Sequence, residues 1–84
     1  MEMCFITFRS VTYAQRGEQV LRSAGIGSNL QRTPKWMQEQ GCGYCLRLRS
    51  EQVQKAVELL RSNGIGYRRV YCQSREGTMR EMVL

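Results

Sequence analysis

The chain has 84 residues, a net charge of +6 and an apolar fraction of 42%. A chain of this length forms one small domain with a thin core, which excludes a deep substrate cavity flanked by a second domain. The ordinary apolar fraction excludes a disordered chain. The positive charge predicts attraction to polyanions, and its scattered distribution is typical of a soluble basic surface.

The N-terminus and the cysteine content bear on the cellular compartment. No run of about 18 apolar residues occurs, so the sequence predicts no transmembrane helix. Residues 1–8 lack the basic region and the cleavage site of a signal peptide, which predicts a cytoplasmic protein. The chain has four cysteines. Because cytoplasmic cysteines are normally reduced, thiol chemistry or metal binding is favoured over disulfides.

An internal repeat divides the chain into two halves. Residues 20–27 recur as residues 59–66, and each copy ends in Gly-Ile-Gly. An Arg-Ser pair precedes the helical pattern of each half. Each half therefore predicts a short strand, a helix, a helix stop and a second strand.

The first half begins with residues 4–9, whose alternation of side chains predicts a strand with one covered face. A helix follows, with Ser10 as its N-cap and Gly25 as the left-handed residue after its end. Residues 28–32 predict a short strand at an edge of the sheet. The helix has a weak apolar stripe formed by Val11, Ala14, Leu21 and Ala24, with Val20 at its margin.

The second half repeats this order. Residues 44–49 predict a strand, Ser50 an N-cap, Gly64 a helix stop, and residues 70–72 the last strand. The polar residues 74–84 predict a tail that is either a short helix or a frayed end. The second helix has a regular apolar stripe of Val53, Ala56, Val57 and Leu60.

Two β-α-β halves, residues 4–32 and 43–73, predict a single ferredoxin-like α+β domain over residues 1–73, with residues 74–84 as its tail. We expect a four-stranded antiparallel sheet with two helices on one face and right-handed crossovers. Within this sheet the two strands that open the halves are nevertheless expected to be parallel neighbours at the centre. The last strand is expected beside the first, in the antiparallel direction.

This arrangement predicts the positions of the cysteines. All four are expected at the same end of the sheet. By alternation, Cys4 and Cys72 face the helices and Cys45 faces the open side. Cys42 lies between Gly41 and Gly43, where the missing side chains allow backbone N–H groups to approach a sulfur atom, so a reactive loop thiol is predicted. The cations available to stabilise its thiolate are Lys35, Arg32 and Arg47.

Three interpretations of the cysteines remain open at this point. Cys4 and Cys72 are small core residues in the first. In the second, Cys42 and Cys45 form a C-x-x-C redox pair, although this spacing alone is a weak signal. In the third, the four thiols bind zinc. This is disfavoured because Cys4 and Cys72 lie within predicted strands and not in the turns that usually hold zinc ligands. The chain has no histidine. Cys-His and Ser-His catalytic pairs are therefore excluded.

The connection over residues 31–41 contains a turn at Thr33 and Pro34. Trp36 and Met37 follow this turn. They either pack over the sheet edge, cover the Cys42 thiol or contact a partner.

The chain resembles a family of small bacterial proteins described as putative selenium/sulfur carrier protein-like. The resemblance covers residues 4–72, and its most specific part is the Thr-Pro turn followed by Cys-Gly before an apolar strand. The residues that show the resemblance are 5–8 with Ser10, together with 21–26, 32–35, 41–43 and 63–65.

The resemblance implies a non-enzymatic cytoplasmic carrier that holds sulfur or selenium on Cys42 as a persulfide or selenylsulfide. Donor and acceptor proteins are the implied partners, with a homodimer as a further expectation, and no resident cofactor is implied. Cys45 departs from the family pattern and is either a resolving thiol or incidental. The expected surroundings of the carrier thiol are Gly41, Gly43, Thr33, Pro34, Lys35 and Arg47.

Two alternatives to a carrier remain. One is a basic module that binds RNA or a protein partner through the open face of the sheet, with structural cysteines. For RNA, the missing aromatic pair on the central strands is unfavourable. The other is an accessory subunit that delivers its thiol to a larger enzyme. The open-face residues of the first alternative are Phe5, Arg47, Arg49, Arg69 and Tyr71.

Overall fold

The computed structural model describes residues 2–34 and 43–82. Two helices lie on one face of a five-stranded antiparallel sheet with the order β2-β3-β1-β4-β5, which confirms the predicted α+β class. Within these residues no helix is long and apolar enough to cross a membrane. In chain order the elements are β1 (Met3–Phe8), α1 (Val11–Ser23), β2 (Asn29–Arg32), β3 (Tyr44–Arg49), α2 (Ser50–Ser62), β4 (Val70–Gln73) and β5 (Met79–Met82).

The two central strands, β1 and β3, are antiparallel, and the predicted parallel orientation is wrong. Met3 is opposite Arg49, and Phe8 is opposite Tyr44. The reason is the direction of β2. The crossover through α1 returns β2 parallel to β1, and β3 then pairs antiparallel with β2. Strand β3 must therefore be antiparallel to β1, and the start of β3 lies beside the end of β1.

A fifth strand occupies part of the region predicted to be a helical or frayed tail. Strands β4 and β5 form a hairpin, with Val70 opposite Met82 and Gln73 opposite Met79. In the connecting turn, the backbone N–H of Ser74 donates to Thr78 O at 2.8 Å. Gly77 in this turn has a φ of 88°, a value that favours glycine. The glycine at position 77 is therefore a turn signal in the sequence, and the prediction of a helical or frayed tail did not take it into account.

The helix ends confirm most of the predicted caps. The Ser10 hydroxyl accepts from the backbone N–H of Tyr13 at 3.4 Å, and Gly25 and Gly64 have φ values of 81° and 69°. The prediction for Ser50 is wrong, because α2 begins at Ser50 itself and has no side-chain cap. The Ser50 N–H donates to Glu2 O at 3.1 Å, so the residue before β1 supplies a partner for the first N–H of the helix.

The core lies between the helices and the sheet. The predicted stripe of α2 is fully buried, whereas α1 buries Ala14, Gly17 and Leu21 and leaves Ala24 exposed. Gly17 permits the close approach of the helices, since a Cβ there would lie 3.2 Å from both Leu60 and Phe8. The largest fully buried side chains are Phe8, Ile6, Leu21, Leu46, Leu48, Leu60, Val57 and Val70.

Candidate functional site

The antiparallel central strands separate the cysteines. Cys4 lies directly opposite Cys72, whereas Cys45 is opposite Thr7, near the other end of β1. The prediction that all four cysteines share one end of the sheet is therefore wrong, since it depended on parallel central strands. The predicted facing is correct for the three described cysteines, because Cys4 and Cys72 pack with the helix-side core and Cys45 packs on the opposite face. The predicted site residues Cys42, Gly41 and Lys35, with Trp36 and Met37, lie outside the described residues.

The described ends of the connection between β2 and β3 meet at one point, which we call the loop base and define as Thr33, Pro34 and Gly43. The Thr33 N–H donates to Gly43 O at 3.0 Å. A Cβ on Gly43 would lie 3.1 Å from Thr33 Oγ1, so this close approach favours glycine. Three of the predicted site residues are thus brought together. Thr33 is buried and the other two are half-buried.

Cations surround this end of the sheet. Arg32 ends β2 opposite Tyr44, directly before the loop base. Arg9 follows the end of β1, and the Arg68 backbone N–H donates to Thr7 O at 2.7 Å, which fixes Arg68 at the same end. Arg47 lies further along β3, opposite Phe5 in the middle of the sheet. Arg47 therefore lies farther from the loop base than the sequence prediction implied.

The sequence did not predict that Arg9 and Arg68 lie near the loop base. The predicted strand directions placed the end of β1 far from the start of β3, whereas the two are adjacent. Both arginines line a surface depression of about 240 Å³ that contains no carboxylate among its described lining residues. Beside it, the Arg61 guanidinium donates to the Tyr67 hydroxyl at 2.9 Å and lies 5.8 Å from the centre of that ring. Among the described residues, the end of the sheet that carries the loop base is therefore rich in cations. The lining residues are Arg9, Tyr13, Gly64, Gly66, Tyr67 and Arg68.

Cys45 lies beside the loop base but is inaccessible, with 0% of its surface exposed. It packs against Phe5, with Tyr71 and Met79 at the margin of the cluster. Burial raises the pKa of the Cys45 thiol above 9.0, and a hydrogen bond with Thr33 offsets part of that rise. At neutral pH the thiol of the folded protein is therefore protonated and a poor nucleophile.

Cys4 and Cys72 are joined by a disulfide between β1 and β4, with Cα atoms 4.0 Å apart. Their predicted location on the helix side of neighbouring antiparallel strands is correct, whereas a bond between them was not among the three interpretations of the cysteines. The pairing follows from register, because the two residues are direct cross-strand partners on the helix side of the sheet. In the described part of the chain, no group of three or more His, Cys, Asp or Glu side chains has the arrangement of a metal site.

The open face of the sheet carries the residues that suggested an RNA-binding surface. Phe5 on β1 lies opposite Tyr71 on β4 and opposite Arg47 on β3, so an aromatic pair does exist, on β1 and β4. However, Phe5 is 8% exposed, and its covered ring offers little surface for base stacking. Arg69 is held by Glu81 through two hydrogen bonds of 2.9 and 2.8 Å, which reduces the basic character of the face.

A family model described as "Putative Se/S carrier protein-like" matches residues 3–72. The matched region begins with β1, includes both β-α-β halves and the loop base, and ends within β4. Strand β5 follows it. No match was found among curated proteins.

Proposed function

Because the chain belongs to the Se/S carrier protein-like family, we propose that it carries sulfur or selenium on Cys42 as a persulfide or selenylsulfide. The match over residues 3–72 is the observation that carries this proposal, since the matched region contains Cys42. In this proposal the protein acts in the cytoplasm, has no resident cofactor and catalyses no reaction of its own. Its partners are a donor and an acceptor of sulfur or selenium.

The state of the other cysteines supports Cys42 as the carrier thiol. Cys4 and Cys72 are bonded to each other, and Cys45 is buried with a raised pKa. None of these three presents a free thiolate on the surface of the folded, oxidised protein. A carrier needs an accessible thiolate, so in the oxidised protein Cys42 is the remaining candidate for the cargo position.

The surroundings of the loop base support the same assignment. Cationic side chains lower the pKa of a nearby thiol because they favour its charged form. Arg32 adjoins the loop base, and Arg9 and Arg68 lie at the same end of the sheet. In the proposal these arginines, together with Lys35 and the backbone beside Gly41, favour the carrier thiolate.

Loading is a transfer between sulfur atoms. The Cys42 thiolate attacks the outer sulfur of a donor persulfide, the sulfur–sulfur bond of the donor breaks, and the donor leaves as a thiolate. The cargo sulfur keeps its oxidation state, so the step needs no external oxidant or reductant. Delivery to an acceptor thiolate is the same step in the reverse direction.

Cys45 has a conditional role in this proposal. As a resolving thiol it would attack the inner sulfur of the Cys42 persulfide, form a Cys42–Cys45 disulfide and release hydrogen sulfide. The buried, protonated state of Cys45 sets the condition for this step: the side chains that cover its thiol, Phe5 among them, must first move aside. Transfer to an acceptor does not require Cys45.

Intact mass spectrometry tests the proposal. Protein incubated with a cysteine desulfurase and cysteine is expected to gain the mass of one sulfur atom, and reductant should remove it. Cys42→Ser should not gain it, whereas the matched control Cys45→Ala should load like the parent protein. Equal loading of Cys42→Ser and the parent protein would refute the carrier assignment.

An RNA or protein-binding module is the second candidate, favoured by the Phe5–Tyr71 pair beside Arg47 on the open face. An electrophoretic shift with single-stranded RNA tests it, because phosphate contacts weaken steeply as salt concentration rises. A complex formed at low salt and lost in Arg47→Ala would support this function. Absence of a complex at low salt would eliminate RNA as the ligand.

A further inference from the structure

The Cys4–Cys72 disulfide has no part in the proposed carrier step and lies away from the loop base. Cys4 is the second residue of β1, whereas Phe8, at the other end of that strand, pairs with Tyr44 beside Gly43. The disulfide is therefore a separate chemical group at the opposite end of the central strands. Its two residues differ in exposure to solvent, and the difference indicates a direction of reaction.

We propose that Cys4–Cys72 is a thiol–disulfide exchange site, whose substrates are small thiols and protein dithiols and whose entry point is the Cys72 sulfur. This function goes beyond the carrier proposal and does not depend on Cys42.

Access to the bond is asymmetric. Cys4 is 0% exposed, on a central strand beneath the helices. Cys72 is half-buried and lies at the margin of the helix-side core. Exchange requires an incoming thiolate to approach one sulfur along the sulfur–sulfur bond. The Cys72 sulfur is therefore attacked, and Cys4 is the leaving group.

Arg80 is placed to assist Cys72. It is the direct cross-strand partner of Cys72 on β5, so the two side chains share the helix side of the sheet. Arg80 is exposed and can attract an anionic thiolate to this position. Once the bond is reduced, the same cation favours the Cys72 thiolate, which is the nucleophile for the reverse reaction.

Hydrogen bonds join the two strands in addition to the disulfide. The backbone N–H of Thr7 donates to Arg69 O at 2.8 Å, and the Arg69 N–H donates to Thr7 Oγ1 at 3.0 Å. The register from Met3–Gln73 to Ile6–Val70 continues this pairing through the cysteines. Reduction thus leaves the two thiols opposite each other, ready to form the bond again.

The reaction balances with thiols as the reductant. A substrate thiolate bonds to the Cys72 sulfur, the Cys4–Cys72 bond breaks, and Cys4 leaves as a thiolate that takes up a proton. A second substrate thiolate then attacks the substrate sulfur of the mixed disulfide, which releases the Cys72 thiolate. One disulfide and two substrate thiols become two cysteine thiols and one substrate disulfide, a transfer of two electrons.

Variants that each remove one cysteine of the disulfide, made in a Cys42→Ser background, test the asymmetry, and failure of the carrier function cannot affect their outcome. Cys4→Ala leaves Cys72 free, and Cys72→Ala leaves Cys4 free. With oxidised glutathione, Cys4→Ala should form the mixed disulfide about tenfold faster than Cys72→Ala, because Cys4 is buried. Equal rates, or faster reaction of Cys72→Ala, would overturn the proposal.

The parent disulfide provides a second measurement that does not depend on whether the variants fold. Protein with the single change Cys42→Ser is equilibrated in glutathione buffers of graded redox poise, quenched in acid and analysed by mass. We expect the dithiol to appear reversibly while the circular dichroism spectrum stays native. A disulfide that opens only after the protein is denatured would refute an exchange site.

The role of Arg80 has its own control. Arg80→Leu should slow reduction by glutathione about threefold, the scale of an exposed charge interaction, and Arg80→Lys should restore the rate. Arg75→Leu removes the same charge from the turn between β4 and β5, away from the cross-strand position of Cys72. Equal slowing in Arg75→Leu, or no rescue by lysine, would contradict the assigned role of Arg80.

Discussion

Reduction of the Cys4–Cys72 disulfide is expected to lower the free energy of unfolding substantially. The bond joins residues 68 positions apart, so it restricts most of the unfolded chain. The chain-entropy relation for a loop of this length gives about 15 cal/mol/K, or about 4 kcal/mol at room temperature. With an m-value of about 2 kcal/mol/M in guanidinium chloride, the unfolding midpoint should fall by about 2 M.

The measurement compares oxidised and reduced protein of the same sequence, unfolded in guanidinium chloride and followed by circular dichroism. The oxidised protein should also show the smaller m-value, because its cross-linked unfolded state exposes less surface. A stability difference below about 1 kcal/mol would refute the reasoning, since the unfolded chain would then gain little freedom on reduction. Alkylated reduced protein serves as the control against reoxidation during the experiment.

Four further results are expected, each from denaturant unfolding or thiol titration. Leu46→Ala should lose about 2–5 kcal/mol, because its fully buried side chain leaves a cavity, and a loss below 1 kcal/mol would contradict the burial. Gly17→Val should lose about 1–3 kcal/mol through overpacking against the 3.2 Å contacts of a Cβ, while a stabilised variant would show that the helices can separate freely. Thr33→Val should raise the pKa of the Cys45 thiol further, as seen by thiolate absorbance, because the valine cannot donate a hydrogen bond. Since the folded pKa is raised, Cys45 stabilises the fold below pH 9.0 and loses this contribution as pH rises above it; Cys45→Ala should lack that loss.

The fold was largely predictable because local signals agreed with the final structure. The apolar stripe of α2 and the positive φ values at Gly25 and Gly64 follow from periodicity and backbone sterics. Strand direction was the principal error. The two β-α-β halves look alike in sequence, and their similarity led to the expectation that their first strands run in parallel. The pairing of β2 with β3 determines the opposite direction.

The candidate site was harder to predict because it depends on long-range register. The sequence identified Thr33, Pro34 and Gly43, and the structure brings them together at the loop base. It placed Cys4 and Cys72 at one end and on one face of adjacent antiparallel strands, but it did not identify the bond between them, because an expected cytoplasmic location favoured free thiols. The carrier thiol itself stays a prediction, because Cys42 lies outside the described residues.

Strand β5 changes which edge of the sheet faces other molecules. Without it, β4 would present its unpaired backbone groups and the Cys72 side of the disulfide to any chain able to add a strand. With it, the outer strand carries Arg80 and Glu81 in alternating directions, and such charges discourage edge-to-edge pairing. Because β5 follows the matched region, the strand that covers the edge of β4 comes from residues beyond those that the family model matches.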